Sequence, residues 1–117
     1  MEITTFNEGK YYIIKINGEL DASSSLILDD AIEEAVNKDQ KLLLFDCENL
    51  HYISSPGIGV FTSRIEDHEQ KKIYLVLYGM NEKVFNVFKI LGLDKILPIV
   101  NEKEEAKILL NGALNKN

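Results

Sequence analysis

The sequence predicts one α/β domain: a mixed sheet of about five strands, opened by an N-terminal hairpin and packed against about four helices. Three observations carry this expectation. A Tyr- and Ile-rich segment bounded by turn residues stands at the start, the run Leu42-Leu43-Leu44-Phe45 is short and uninterruptedly apolar, and strand and helix patterns alternate from there to the end. An unbroken apolar run of strand length suits a strand covered on both faces, so Leu42 to Phe45 is expected at the centre of the sheet.

Taken in order, residues Lys10 to Ile16 read as a strand stopped by Asn17-Gly18, a pair able to adopt positive φ. Ile3 to Phe6 can pair with it as a short edge strand across Asn7-Glu8-Gly9, completing the hairpin. Ser23, Ser24 and Ser25 then offer N-caps for a helix whose Leu28, Ala31, Ile32, Ala35 and Val36 recur at three- and four-residue spacing, ending near Asn37. After the central strand, Val60, Phe61, Ile65 and His68 continue a second helix to about Gln70. Ile73 to Tyr78 is another strand, closed by Gly79. Asn81 caps a third helix with Val84, Val87, Phe88 and Leu91 inward and Gly92 as its terminating glycine. Ile96 to Val100 is a last strand, placed at the sheet edge because Pro98 lacks a ladder N–H. Glu102 to Leu114 forms the terminal helix with Ala106, Ile108, Leu109 and Ala113 inward, and Asn115-Lys116-Asn117 should fray.

At 117 residues the chain suits a single domain, 1–117, and 45% hydrophobic with 27% charged residues suits a packed core. The net charge of −6 repels nucleic acid and anionic lipid, and the one basic doublet, Lys71-Lys72, is too small to reverse that. A single cysteine, Cys47, forms no internal disulfide and fits a reducing compartment, so a cytoplasmic protein is expected. Met1 to Phe6 has neither a basic nor an apolar leader segment, and no apolar run approaches the ~18 residues of a membrane span.

The chemistry concentrates in Tyr52-Ile53-Ser54-Ser55-Pro56-Gly57-Ile58-Gly59. Ser55 as N-cap and Pro56 as first helical residue would satisfy two preferences at once: the serine oxygen accepts an orphan N–H, and proline has none to leave unpaired. Gly57 and Gly59 would leave room for another protein to approach Ser55. A phosphate on Ser55 would bring roughly −1.5 to −2 charge to a helix N-terminus, whose N–H groups and dipole favour an anion. About 7 Å from a carboxylate, at an effective dielectric near 20, such a dianion is opposed by roughly 4 to 5 kcal/mol before screening. Moving a partner from mostly bound to mostly free takes about 5.5 kcal/mol, so one phosphate is of the right order for a switch. The plainer reading is that Ser55 only caps its helix.

A second constellation favours the switch. Gly18-Glu19-Leu20-Asp21 places two carboxylates after a turn, Asp46 follows the central apolar run, and Leu91-Gly92-Leu93-Asp94-Lys95 precedes the last strand. With the serine segment, these resemble the STAS domain, in particular the bacterial anti-sigma factor antagonists, over nearly the whole chain. The resemblance implies a regulatory binding protein that is not an enzyme and needs no cofactor. Its unphosphorylated form would bind an anti-sigma factor serine kinase of the GHKL type and so release the sigma factor; phosphorylation of Ser55 would end that binding, and a phosphatase would restore it. Ser54 is the runner-up acceptor, and Glu19, Asp21, Ser54, Ser55, Pro56, Gly57 and Ile58 form the expected partner surface of a monomer or weak dimer. Many members of the subfamily carry an aspartate before this serine and a serine or threonine after it; here Ser54 and Pro56 stand in those places.

Two other readings stay open. A STAS scaffold subunit of a stress-sensing or transport-associated complex would use the fold without the phosphate. A small serine-dependent enzyme would need a base and an oxyanion hole, and Ser55 lacks both the preceding glycine of a nucleophile elbow and a histidine better placed than His51. Thr62 stands where a dinucleotide fingerprint needs its third small residue. His51, His68 and Cys47 lack metal-ligand spacing, and Cys47 reads as a small buried apolar residue. Tyr52, Phe61, Phe85 and Phe88 are candidates for an aromatic contact surface, although Phe85 and Phe88 at helical spacing suit a core.

Overall fold

A computed structural model describes residues 1–115 of the chain. Strand β1 (Glu2–Glu8) turns at Gly9, φ 62°, into β2 (Tyr11–Leu20). Then follow α1 (Ala22–Asn37), β3 (Leu42–Ile53), α2 (Ser55–Thr62), α3 (Ile65–Gln70), β4 (Tyr74–Tyr78), α4 (Glu82–Ile90), a 3-10 turn (Leu93–Lys95), β5 (Ile99–Val100) and α5 (Lys103–Asn115). The five strands lie in chain order; β1 is antiparallel to β2, and every later neighbour is parallel. The mixed sheet, its opening hairpin and its flanking helices are those the sequence predicts. Lys116 and Asn117, expected to fray, lie outside the described residues; Asn115 is the last residue of α5.

The side-chain alternation of each strand divides the core in two. Tyr12, Ile14, Ile16, Leu43, Phe45 and Cys47 face the same way and pack with Leu28 and Ile32 of α1, Ile58 and Phe61 of α2 and Phe88 of α4. The opposite face carries Tyr11, Ile13, Leu42, Leu44, Val76 and Tyr78, covered by Ala106 and Leu110 of α5. Parallel crossovers of one hand between successive neighbours put α1, α2 and α4 on a single face, which leaves the second face for the terminal helix. Glu8 at the hairpin end pairs with Lys103 (2.7 Å) and Lys107, fixing α5 across the sheet.

Several elements depart from the expected pattern, each for an identifiable reason. β2 continues through Asn17-Gly18 to Leu20, because pairing with β3 supplies ladder partners there. Gly18, φ 108°, is accommodated by register shifts between Lys15 and Asn17 and between Gly18 and Glu19. β3 runs on to Ile53, so Asp46 lies within it, opposite Tyr78 at the end of β4. The helix expected to reach Gln70 is broken at Ser63-Arg64 into α2 and α3. β5 keeps only Ile99 and Val100, since the 3-10 turn takes the chain up to Lys95; Pro98 still marks the sheet edge. On α5 the buried positions are Ala106 and Leu110, four apart, whereas Ile108 and Leu109 are 69% and 45% exposed; at 100° per residue, Ile108 points away from the sheet. Leu91, expected inward, is 58% exposed because α4 ends at Ile90, and Gly92, φ 73°, terminates it as anticipated.

Candidate functional site

The parallel strands β2 and β3 end side by side, with Glu19 opposite Tyr52 and Leu20 opposite Ile53. Each is followed at once by a helix, so the N-termini of α1 and α2 emerge together at one end of the sheet. The Leu20 carbonyl links them: it accepts from the Ser54 backbone N–H and from the Ser54 hydroxyl, each at 2.9 Å.

Capping at both helices differs from the expectation, by two residues or more at α1 and by one at α2. Asp21, not one of the three serines, is the N-cap of α1. Its Oδ1 accepts from the backbone N–H of Ser24 at 2.9 Å and from the Ser24 hydroxyl, while the Asp21 N–H donates to Ser24 Oγ at 2.8 Å in a capping box. These donors hold the Asp21 carboxyl below the usual aspartate range, the Ser24 N–H contributing most. At α2 the cap is Ser54, whose oxygen accepts from the Gly57 N–H at 3.3 Å, so Ser55 becomes the first helical residue and Pro56 the second. Proline is tolerated there for the reason it is tolerated one residue earlier: the first turn has no intrahelical acceptor for its N–H. The cap position takes aspartate and serine almost equally well, so Ser54 fills it as an aspartate would.

This shift of one residue separates the two serines. Ser54 is half-buried with its hydroxyl engaged by Leu20 and Gly57, whereas Ser55 is exposed. Ser55 is also the first-turn residue whose N–H is left without a partner among the described residues: Ser54 donates to Leu20, Pro56 has no N–H, and Gly57 donates to the cap. A phosphate on Ser55 would therefore find one local backbone donor rather than several.

Of the expected partner surface, Glu19, Asp21, Ser55 and Pro56 are exposed together, but Gly57 and Ile58 are buried. A Cβ on Gly57 would lie 2.9 Å from Ile53 Cγ1 and 3.0 Å from both Leu20 Cγ and the Leu20 carbonyl oxygen. The glycine thus lets α2 sit tightly on the strand ends. The open approach expected of it belongs to Gly59, where an added Cβ would meet nothing within 4 Å. Phe61 and Phe88 are core, with Phe61 edge-on to Phe45 at 5.2 Å and to Phe88 at 6.2 Å, and Phe85 is half-buried. Of the four candidate aromatic contacts, Tyr52 alone is exposed (45%). Cys47 is fully buried, and that burial drives its thiol pKa well above the ordinary range.

Four contributing residues were not apparent from the sequence. Leu20 acts through a backbone carbonyl, which no side-chain pattern announces. Leu26 and Ile27, 68% and 52% exposed on the first turns of α1, extend the surface with apolar area, and Ile27 borders a cleft of about 410 Å³ also lined by Met1, Gly18, Glu19, Asp21 and Ser23. Their offset from the buried Leu28 and Ile32 was the available signal. Arg64, between α2 and α3, forks onto α1: its guanidinium reaches Asp29 Oδ1 at 2.9 Å, the Asp29 carbonyl at 3.2 Å and Glu33 at 3.1 Å. This fork holds the serine helix against its neighbour.

The family model of the STAS domain matches residues 3–106. An anti-sigma-B factor antagonist of Listeria monocytogenes is 33% identical over 92 residues, 79% of this chain and 81% of that protein. One from Staphylococcus aureus is 28% identical over 107 residues, 92% of this chain and 98% of that protein. A crystal structure of an anti-sigma factor antagonist from Mycobacterium paratuberculosis superposes with a TM-score of 0.82 at 16% identity, covering 94% of this chain and 93% of that one.

Proposed function

The chain belongs to the STAS domain family, and from that premise we propose that it is an anti-sigma factor antagonist switched by phosphorylation of Ser55. Its partner in this reading is an anti-sigma factor serine kinase of the GHKL type, which brings the nucleotide and magnesium; a phosphatase reverses the modification, all in the cytoplasm. Binding the kinase frees the sigma factor. The single observation that carries the reading is the division of labour between the two serines: Ser54 is held by Leu20 and Gly57, and Ser55 beside it is exposed at the start of a helix.

The physical steps follow from that placement. The unmodified surface is formed by Tyr52, Ser55 and Pro56 with Glu19, Asp21, Leu26 and Ile27, a mixture of apolar area and carboxylates suited to a protein partner. A phosphate on Ser55 adds about two negative charges to that surface. Because Glu19 and Asp21 already stand there, the added charge deepens a negative field and any carboxylate the partner contributes is repelled. The helix dipole and the Ser55 N–H offset part of the cost within the chain, so the fold tolerates the modification while the complex does not.

The test is incubation of the purified chain with candidate anti-sigma kinases and ATP, with the phosphate located by mass spectrometry and kinase binding measured before and after. Expected is phosphate on Ser55, none in Ser55→Ala, and kinase binding weakened at least tenfold by Ser55→Asp. Phosphate on Ser54, or a stable complex with a partner that never phosphorylates the chain, would overturn the switch and favour a scaffold role.

A further inference from the structure

Strand β1 is the one long free edge of the sheet: its only neighbour is β2, whereas the edge at the other side, β5, is just Ile99-Val100. Glu2, Thr4, Thr5, Phe6 and Asn7 are exposed, and β1 has neither the proline, the lysine nor the register shift that protects many edges. Gly9-Lys10 is a two-residue turn, which closes on a hydrogen-bonded pair, Glu8 with Tyr11. Pairing alternates from there, so Glu8, Phe6, Thr4 and Glu2 turn their backbone groups to β2, and Ile3, Thr5 and Asn7 turn theirs outward. None of those outward groups has a partner among the described residues.

We infer that β1 pairs with β1 of a second copy of this chain, antiparallel and centred on Thr5, joining two sheets into one. The other edge, β5, is too short to match a seven-residue strand, so within this protein β1 finds a full-length partner only in itself. Centring on Thr5 sets Ile3 opposite the partner's Asn7 and Thr5 opposite the partner's Thr5, which joins the outward groups in complementary pairs. The side chains agree. Glu2, Thr4, Phe6 and Glu8 share the face on which α5 lies, and each half-exposed Phe6 comes beside the partner's Thr4, with the two Phe6 rings on the diagonal. Glu2 comes opposite the partner's Glu8, but that carboxylate lies in a basic cluster. Lys103 and Lys107 bind it, and Lys10 and Lys107 stand over the neighbouring Tyr11 ring. Glu104, 3.8 Å from Lys107, is the second acid, so three lysines against two glutamates leave a positive end to receive Glu2. Centring on Thr4 instead would set Glu2 against Phe6 and draw both the rings and the charges apart. A single strand pair is smaller than a standard interface, so the dimer is weak, with a dissociation constant on the order of 100 µM. Antiparallel pairing sends the two Ser55 surfaces to opposite ends of the joined sheet, and the inference does not rest on the phosphate switch.

Sedimentation equilibrium of the full chain from about 10 µM to about 1 mM tests this. Expected is an average mass that climbs from that of one chain toward that of two and goes no higher. Thr5→Pro removes an outward N–H and none that β2 uses, so it should keep the circular dichroism of the parent and stay monomeric throughout. Glu2→Lys, at an exposed position, should weaken the dimer about tenfold, a difference that shrinks in ~0.5 M salt, and it keeps the test intact if the proline variant fails to fold. Thr5→Cys reads the register: paired Cα atoms about 5.5 Å apart allow a disulfide between copies. The native Cys47 is buried and does not compete. Expected on oxidation is a covalent dimer for Thr5→Cys and none for Asn7→Cys. A monomer at every concentration, or association that continues beyond two chains, would overturn the inference. So would a dimer undiminished in Thr5→Pro or Glu2→Lys, or cross-linking of Asn7→Cys without that of Thr5→Cys.

Discussion

The carbonyl of Leu20 accepts two hydrogen bonds from one residue, Ser54: its backbone N–H and its hydroxyl, both at 2.9 Å. The relationship joins the end of β2 to the cap of α2 across 34 positions of sequence. It separates a serine that builds the site from a serine that the site displays.

Ser54→Ala removes both the helix cap and the side-chain bond to Leu20. A lost serine cap typically costs about 1 kcal/mol, and the carbonyl of the buried Leu20 retains its backbone donor, so a loss of about 1 to 2 kcal/mol is expected. Ser55→Ala, at an exposed first-turn position, should stay within about 0.5 kcal/mol of the parent. Urea denaturation of the two variants reads the difference; equal midpoints would contradict the assignment of the cap.

The two helical glycines should behave oppositely. Gly57→Ala places a methyl group 2.9 to 3.0 Å from Ile53 and Leu20, backbone included, and should destabilise by about 1 to 3 kcal/mol as α2 is pushed off the strand ends. Gly59→Ala meets nothing within 4 Å and should stabilise by about 0.5 to 1 kcal/mol through helix propensity. Thermal unfolding distinguishes them, and a Gly57→Ala protein as stable as the Gly59→Ala one would refute the close packing.

What could be read in the sequence was whatever rests on local pattern. The hairpin, the central apolar strand, the Asn81 cap and the Gly92 terminator each depend on a few neighbouring residues, and each is found. What required the structure depends on pairing between distant segments. β2 passes its own turn signal because β3 lies beside it, and Asp21 rather than a serine caps α1 because the longer strand delivers it to the cap. The buried role of Gly57 is visible only against Leu20. Ser55 is exposed, as the sequence suggests, but the capping argument offered for it belongs to Ser54.

Arg64 provides a third test, because one guanidinium ties the break between α2 and α3 to both Asp29 and Glu33. Its side chain is 13% exposed while the two acids are about half exposed, so solvent weakens the pair and the loss in Arg64→Ala is expected near ~1 to 2 kcal/mol. Arg64→Lys keeps the charge but not the planar fork, and should recover less than half of it. Full recovery by lysine in chemical denaturation would show that charge alone, without geometry, anchors α2.

The pH dependence of stability should carry the signature of His68. Burial is the largest influence on it and lowers its folded pKa; Arg64 and Lys71 act in the same direction, and Asp67 and Glu33 oppose them. The unfolded chain, with a histidine pKa near 6.5, therefore binds more protons than the folded one as the pH falls, and stability contributed by the neutral ring is complete above about pH 7 and lost progressively below about 6.5. Replacing the ring by an apolar side chain removes both the titration and two buried nitrogens that have no hydrogen-bond partner among the described residues. Denaturation midpoints for the parent and His68→Leu, measured from about pH 7.5 to about pH 5, should diverge as the pH drops, with the variant increasingly the more stable. Parallel curves would show that the imidazole gains its proton as easily in the folded chain as in the unfolded one, and that its burial carries no electrostatic consequence.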